Sequence, residues 1–183
     1  MNSYKCLVNQ EIANLDYSIV PIRFEDRFEI MKWRNEQMYH LRQKNALTVQ
    51  DQDNYFNNVI KPLFDNIYPS QILFSYLKGN KCIGYGGLVH INWVDKNAEI
   101  SFIMATELES CSFHIHWVNF LKLIEICAFK QLDLHKIYTY AFDLRPNLYL
   151  ALEESNYVEK VRLKEHCFYN GKFIDVVIHS KFR

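Results

Sequence analysis

Between Ile72 and Phe142 the apolar period changes twice, and that change limits the folds open to the chain. Ile72 to Leu77, Lys81 to Asn92 and Ala98 to Ala105 read as strands, separated by a Gly79-Asn80 turn and a short Val94 to Asn97 loop. Connections this short join antiparallel neighbours, so a three-stranded meander is expected. The period then lengthens. Phe113, Trp117, Phe120, Ile124 and Ala128 recur by threes and fours, which predicts a long helix lying on the sheet, with Ser110 or Ser112 as its N-cap. Leu134 to Phe142, rich in Ile and Tyr, returns to strand.

The flanks extend this pattern. Ser18 to Phe24 alternates as a strand does, and Asp26 is placed to cap a helix running to about Arg42. Thr48 followed by Asp51 resembles a capping signal for a second helix with Tyr55, Phe56, Val59 and Ile60 on one stripe, closed by Pro62. Pro146 suits the first turn of a short helix through Glu154. Leu163 to Tyr169 and Lys172 to Phe182 flank Asn170-Gly171, a hairpin signal because both turn positions need positive φ. The order β-α-α-β-β-β-α-β-α-β-β mixes a meander with helical crossovers and belongs to the α/β or α+β group.

With 183 residues, 49% of them hydrophobic, and no linker-like stretch, the expectation is a single domain over 1–183. Lys+Arg 21 against Asp+Glu 21 gives no basic footprint, so neither nucleic acid nor an anionic membrane is an expected partner. No apolar run approaches the roughly 20 residues of a membrane span, and Met1 to Leu15 lacks a basic region followed by an apolar stretch, which predicts a cytoplasmic protein. Cys6, Cys82, Cys111, Cys127 and Cys167 form no Cys-x-x-Cys pair, arguing against a disulfide framework or a structural zinc site. In His114-x-His116 the two imidazoles point to different sides of a helix, so no metal is expected there.

Over almost its whole length this element order resembles the GNAT superfamily of acyl-CoA N-acyltransferases. Trp33-Arg34-Asn35, Ala98-Glu99-Ile100-Ser101, Leu134-His135-Lys136-Ile137, and the closing hairpin with Glu165-His166, Asn170-Gly171-Lys172 and Asp175 resemble its ribosomal-protein and nucleotide-linked amino-sugar acetyltransferase branch. The resemblance implies a mixed central sheet of about seven strands flanked by about four helices. It also implies a V-shaped split between parallel strands Ala98 to Ala105 and Leu134 to Phe142. Acetyl-CoA as co-substrate would lie in that split, its pantetheine arm bonded by backbone groups near Ile103, Met104 and Ala105. The acceptor implied is a small-molecule amine, a nucleotide-linked amino sugar ahead of a protein N-terminus; a homodimer is compatible with this reading.

The chain departs from the family where a Gly-rich loop before the long helix meets the coenzyme A pyrophosphate. The small positions fall on Phe113, Ile115 and Trp117, and the preceding connection carries Glu107 and Glu109, which repel a diphosphate. Two outcomes stay open. The helix N-terminus, with Ser112, Phe113 and His114, still holds a phosphate, or the aromatics fill the cradle and leave a catalytically silent domain that binds a ligand or partner. Arg145, where relatives often carry a donor-contacting asparagine, either binds a phosphate or caps the loop.

Acyl transfer to an amine needs a proton acceptor and a donor to the leaving thiolate. If Val94 to Asn97 is the loop, Asn92 faces Glu99 and His90 faces Ser101, making one polar patch on a mostly apolar sheet. Glu99 matches the family's central-strand glutamate and is the expected base, against a purely structural carboxylate. His90 is the alternative, against a strand histidine without catalytic duty. Relatives carry a tyrosine acid in the short helix; Leu152 stands there, and Tyr149, one turn back, is the substitute. Arg34 and Asn35 either contact the acceptor or form a solvated helix face.

Overall fold

The computed structural model describes residues 2–41 and 43–183. Its strands form one mixed eight-stranded sheet in the order β1-β2-β3-β4-β5-β6-β8-β7. β1 (Ile12–Asn14) is too short to leave a sequence pattern and pairs antiparallel with β2 (Tyr17–Pro21). β3 (Ile72–Lys78), β4 (Lys81–Asn92) and β5 (Asn97–Met104) are the expected meander. β4 and β5 lie close together at Gly86, where a Cβ would stand 2.2 Å from the Ser101 carbonyl oxygen. β6 (Lys136–Phe142) lies parallel to β5. The hairpin of β7 (Val158–Tyr169) and β8 (Lys172–Phe182) closes the sheet, turning at Asn170 (φ 47°) and Gly171 (φ 78°).

The first helix, α1 (Arg27–Glu36), gives way to a 3₁₀ turn at Met38–His40; the expected end near Arg42 lies outside the described residues. Asp26 does not cap α1 with its side chain. Its carboxylate accepts from Arg23 Nε (2.7 Å) and Ser75 Oγ (2.6 Å), pinning the helix entry to β3 instead. Thr48 does cap α2 (Val49–Tyr55), in a full capping box with Asp51. Pro62 does not end the helix: a π-turn at Phe56–Ile60 shifts the register and seats the proline in the first turn of α3 (Lys61–Asp65), where its missing N–H breaks no bond.

A short helix that the sequence reading left as a connection, α4 (Thr106–Cys111), precedes the long helix α5 (Phe113–Glu125), which runs on as a π-turn through Gln131. Glu107 and Glu109 sit in the first turn of α4 and favour its positive end. α6 is Pro146–Glu154. The α5 stripe packs on the sheet through Phe120, whose ring stacks on Phe102 at 4.0 Å, and Trp117, edge-on to Phe102 at 5.1 Å. Such pairs contribute about 0.5–1.5 kcal/mol each beyond area burial. Among the described residues no helix is long and apolar enough to cross a membrane.

Candidate active site

β5 and β6 share only three rungs, Asn97–Lys136, Ala98–Ile137 and Glu99–Tyr138. Beyond Glu99, β5 continues to Met104 along β4 and β6 to Phe142 along β8 without pairing with each other, so the sheet opens in a V at its centre. A cavity of about 380 Å³ lies along the opening, with Trp117, Thr139, Glu99 and Arg145 in its wall. Of the two outcomes left open, a split filled by aromatic rings is not what this cavity shows, since Trp117 and Glu99 line the same space.

Side-chain parity gives the cavity two walls. Phe102 packs on α5, so Ile100, Phe102 and their β6 counterparts Thr139 and Ala141 face that helix. Glu99, Ser101 and Ile103 face the other way, toward α1, where Tyr85 sits opposite Ile103 and accepts a hydrogen bond from Arg34.

The pairing across β4 and β5 differs from the expected one. Asn92 faces Asn97, so the turn is Trp93 to Lys96 rather than Val94 to Asn97, and β4 then carries one residue more than β5 before the next rung, which sets Val89 against Glu99 and Gly87 against Ser101. His90 absorbs this bulge at φ 50°. The bulge swings the imidazole over the neighbouring strand, where Nδ1 donates to Glu99 Oε2 at 2.9 Å. Glu99 is largely enclosed, its side chain 17% exposed, whereas His90 is 67% exposed. Asn92 leaves the patch: its side chain accepts from Asp95 N and donates to Asp95 Oδ2, holding the turn.

Arg34 reaches the cavity, its Nη1 donating to Tyr85 Oη (2.8 Å) and its Nε to Gln43 Oε1 (3.0 Å). Asn35 does not, because its amide is spent on Leu47 N, Leu47 O and Gln43 Nε2, which fasten the loop after α1. Tyr85 and Gln71 also line the wall. Tyr85 shares strand parity with Val89 and Ser101; the bulge at His90 hides that relation from a simple count.

At the far end of the split Arg145 is enclosed by charge and rings. Its Nη1 donates to Glu109 Oε1 (3.4 Å) and lies 3.3 Å from His40 Nε2, while its guanidinium carbon stands 5.7 Å from the Phe113 ring and 5.9 Å from that of Trp117. Burial lowers the Arg145 pKa, opposed by Glu109. Burial, followed by the Arg145 charge, brings His40 down to about 3, so His40 is neutral at physiological pH. Tyr39 donates to the same Glu109 oxygen (2.8 Å), and burial with that bond raises its phenol to about 12.

The backbone and helix positions expected to hold a donor are redistributed. Ala105 N donates to Ile83 O (2.8 Å), which fixes the parity: Ile103 directs its backbone at β4, and Ile100 and Phe102 direct theirs at the split. Met104 also points there, but its carbonyl accepts from the buried Gln37 Nε2 (2.8 Å). Ser112 breaks the chain between α4 and α5 and makes no side-chain cap to α5. His114 is tied to Glu154 Oε2 (2.6 Å) at the end of α6. Phe113 packs against the core, half-buried, beside Arg145.

Tyr149 turns away from the cavity. Its hydroxyl donates to Asp143 Oδ1 (2.8 Å) and its ring stacks on His179, and burial together with the Asp143 contact raises its pKa. Leu152 is fully buried. Among the described residues no cluster of three or more His, Cys, Asp or Glu is placed to hold a metal ion.

Comparison with known proteins meets this geometry. A spermidine N(1)-acetyltransferase of Vibrio cholerae is 32% identical over 104 residues, 55% of this chain and 58% of that enzyme's length. A crystal structure of spermidine N-acetyltransferase from Vibrio cholerae in complex with CoA and spermine shares the fold, with 24% identity, TM-score 0.77, and coverage of 92% of this chain and 96% of that one. A dodecameric structure of the Vibrio cholerae enzyme in an intermediate state shares it too, at 22% identity and TM-score 0.72, covering 92% and 95%. These relatives are named as spermidine N-acetyltransferases, not as members of the ribosomal-protein or amino-sugar branch that the sequence motifs resemble, and this chain spans little more than half the length of the first of them. The model of the acetyltransferase (GNAT) domain matches residues 19–178. With the opened sheet and its carboxylate-lined cavity, that match over most of the chain assigns it to the GNAT family of N-acetyltransferases.

Proposed function

We propose that this chain moves an acetyl group from acetyl-CoA to a primary amine of a polyamine, in the cavity at the β5–β6 split. The observation that carries the proposal is the placing of Glu99 at the last rung before the split, with His90 2.9 Å away. Glu99 stands on the enclosed side and His90 on the solvent side, so the pair takes the proton that the attacking ammonium must lose and passes it to water. Tyr85, held in place by Arg34, positions the acceptor on the α1 wall.

Acetyl-CoA, when bound, supplies an activated thioester. The residues present fit its thioester end, where the unpaired length of β5 faces the cavity. At the diphosphate end Arg145 and the N-terminus of α5 would hold the phosphates, with Glu109 as the competing anion. The polyamine class rests on the 32% identical relative and on the wall itself. One carboxylate beside the rings of Tyr85 and Tyr140 suits an ammonium better than a nucleotide phosphate, and Arg34 is already engaged by Tyr85 and Gln43. Self-association belongs to the same proposal, since one structural relative is dodecameric.

An acceptor panel tests it. With acetyl-CoA, spermidine should be acetylated faster than a nucleotide-linked amino sugar or a peptide N-terminus. A preference for either of the latter would reassign the acceptor. A second reading, a silent domain, is favoured by the Glu109–Arg145 contact and by Phe113 and Trp117 at the glycine positions; no turnover of any amine would select it.

A further inference from the structure

The α5 wall of the split is almost wholly apolar where Ile100, Ala141 and Leu148 line it. Apart from Arg145 and its neighbour His40, two residues on that wall carry a polar side-chain atom among the described residues, Trp117 (Nε1) and Thr139 (Oγ1), each atom lying just beneath the cavity surface. Both are buried, and neither has a hydrogen-bond partner. The residues are 3% exposed in each case. A buried N–H or O–H without a partner is costly, and such groups are rare in native proteins. Other buried polar atoms also lack partners, on His179, Ser155 and Ser180, but none of those residues lines the cavity. The position of Thr139 adds a second observation. It is the first β6 residue past the last paired rung, Glu99–Tyr138, and so stands at the vertex of the V on the wall opposite to the carboxylate.

We infer that the Thr139 hydroxyl and the Trp117 indole N–H are the side-chain hydrogen-bond donors that bind the acyl-pantetheine end of the donor. This deepens the transferase reading above and rests on it. The acceptors they fit are the thioester oxygen, the pantetheine amide oxygens and the departing thiolate sulfur. Leu152 is apolar and the Tyr149 hydroxyl is committed to Asp143, so the short helix α6 offers no hydroxyl to this wall from either position. Trp117 thereby has a purpose besides packing at a place where a glycine was expected. In the donor-free protein both groups are unsatisfied, and the ligand supplies what they lack.

Calorimetry with two probes separates this from a structural role. CoA carries the pantetheine arm; adenosine 3′,5′-bisphosphate lacks it. Thr139→Val keeps the shape and removes the hydroxyl. It should weaken CoA binding about 3- to 10-fold, the effect of one neutral hydrogen bond, leave the bisphosphate affinity unchanged, and leave the thermal midpoint of the free protein unchanged or higher. Thr139→Ser, which keeps the hydroxyl, should restore CoA affinity, and Trp117→Phe should weaken CoA without weakening the bisphosphate. Wild-type CoA affinity in Thr139→Val overturns the inference alone. So does a lowered midpoint with equal loss of both ligands, which marks a structural hydroxyl. A wild-type chain that binds no CoA overturns this inference and the transferase reading together.

Discussion

His90 meets Glu99 because β4 is one residue longer than β5 between their outer rungs: the bulge at φ 50° brings Nδ1 to 2.9 Å from Glu99 Oε2. The pair joins an enclosed carboxylate to a solvent-facing imidazole. Glu99→Gln should lower kcat by about 10²- to 10⁴-fold, the usual contribution of general-base catalysis, with little change in the acceptor KM. Initial rates across acceptor concentration check this, and an unchanged kcat removes Glu99 from the chemistry. His90→Ala should have a smaller effect, because Glu99 keeps the proton-accepting carboxylate.

Tyr85 and Arg34 hold each other across the α1 wall at 2.8 Å. Tyr85→Phe removes that bond and frees Arg34 to move. The expected result is a rise of about 3- to 10-fold in the acceptor KM with kcat nearly kept, as for loss of one hydrogen bond that acts in binding. A fall in kcat with an unchanged KM would instead place Tyr85 in the chemical step.

Glu109 is the anion facing the buried Arg145. Glu109→Gln leaves that guanidinium, largely shielded from solvent, without its counter-charge, which destabilises the fold. Urea denaturation should report a destabilised free protein. Because the variant also removes the competitor for a phosphate, the midpoint gain on adding CoA should exceed that of the wild type. An equal gain would show that Arg145 does not face the donor.

His40 is neutral in the fold, at about 3, and ordinary in the unfolded chain, near 6.5. Between those values the unfolded chain binds a proton that the folded chain does not. Its contribution is therefore intact above pH 6.5 and lost as pH falls toward 3, about 2 kcal/mol by pH 5. His116 and His179 are lowered by burial and act in the same direction. Thermal midpoints should fall between pH 7 and pH 5, and His40→Gln should flatten the slope. An identical slope would assign the acid sensitivity to the other two.

The sequence makes the strand meander, the long helix, the capping box at Thr48 and the Asn170-Gly171 hairpin legible, since each is a local pattern with a local cause. The bulge at His90 is not local. The turn closes at Asn92–Asn97, one residue earlier on each strand than the pattern suggests, and the inserted residue then shifts every facing pair beyond it, so Val89 stands opposite Glu99 while Asn92 holds a turn with Asp95. His90 reaches Glu99 all the same, through positive φ rather than parity. Tyr149 was placed by helical spacing alone, and Asp143, six residues earlier and outside the helix, decides where its hydroxyl points. α4 was hidden because its residues read equally well as a polar connection. Its Glu109 closes on Arg145 and His40 from elements far apart in the chain.

The most direct measurement is a crystal structure of the chain grown with saturating acetyl-CoA. The account predicts density for the pantetheine arm between β5 and β6 beyond the Glu99–Tyr138 rung, its thioester facing Glu99. Donor density elsewhere on the surface, with the split between β5 and β6 empty, would contradict it.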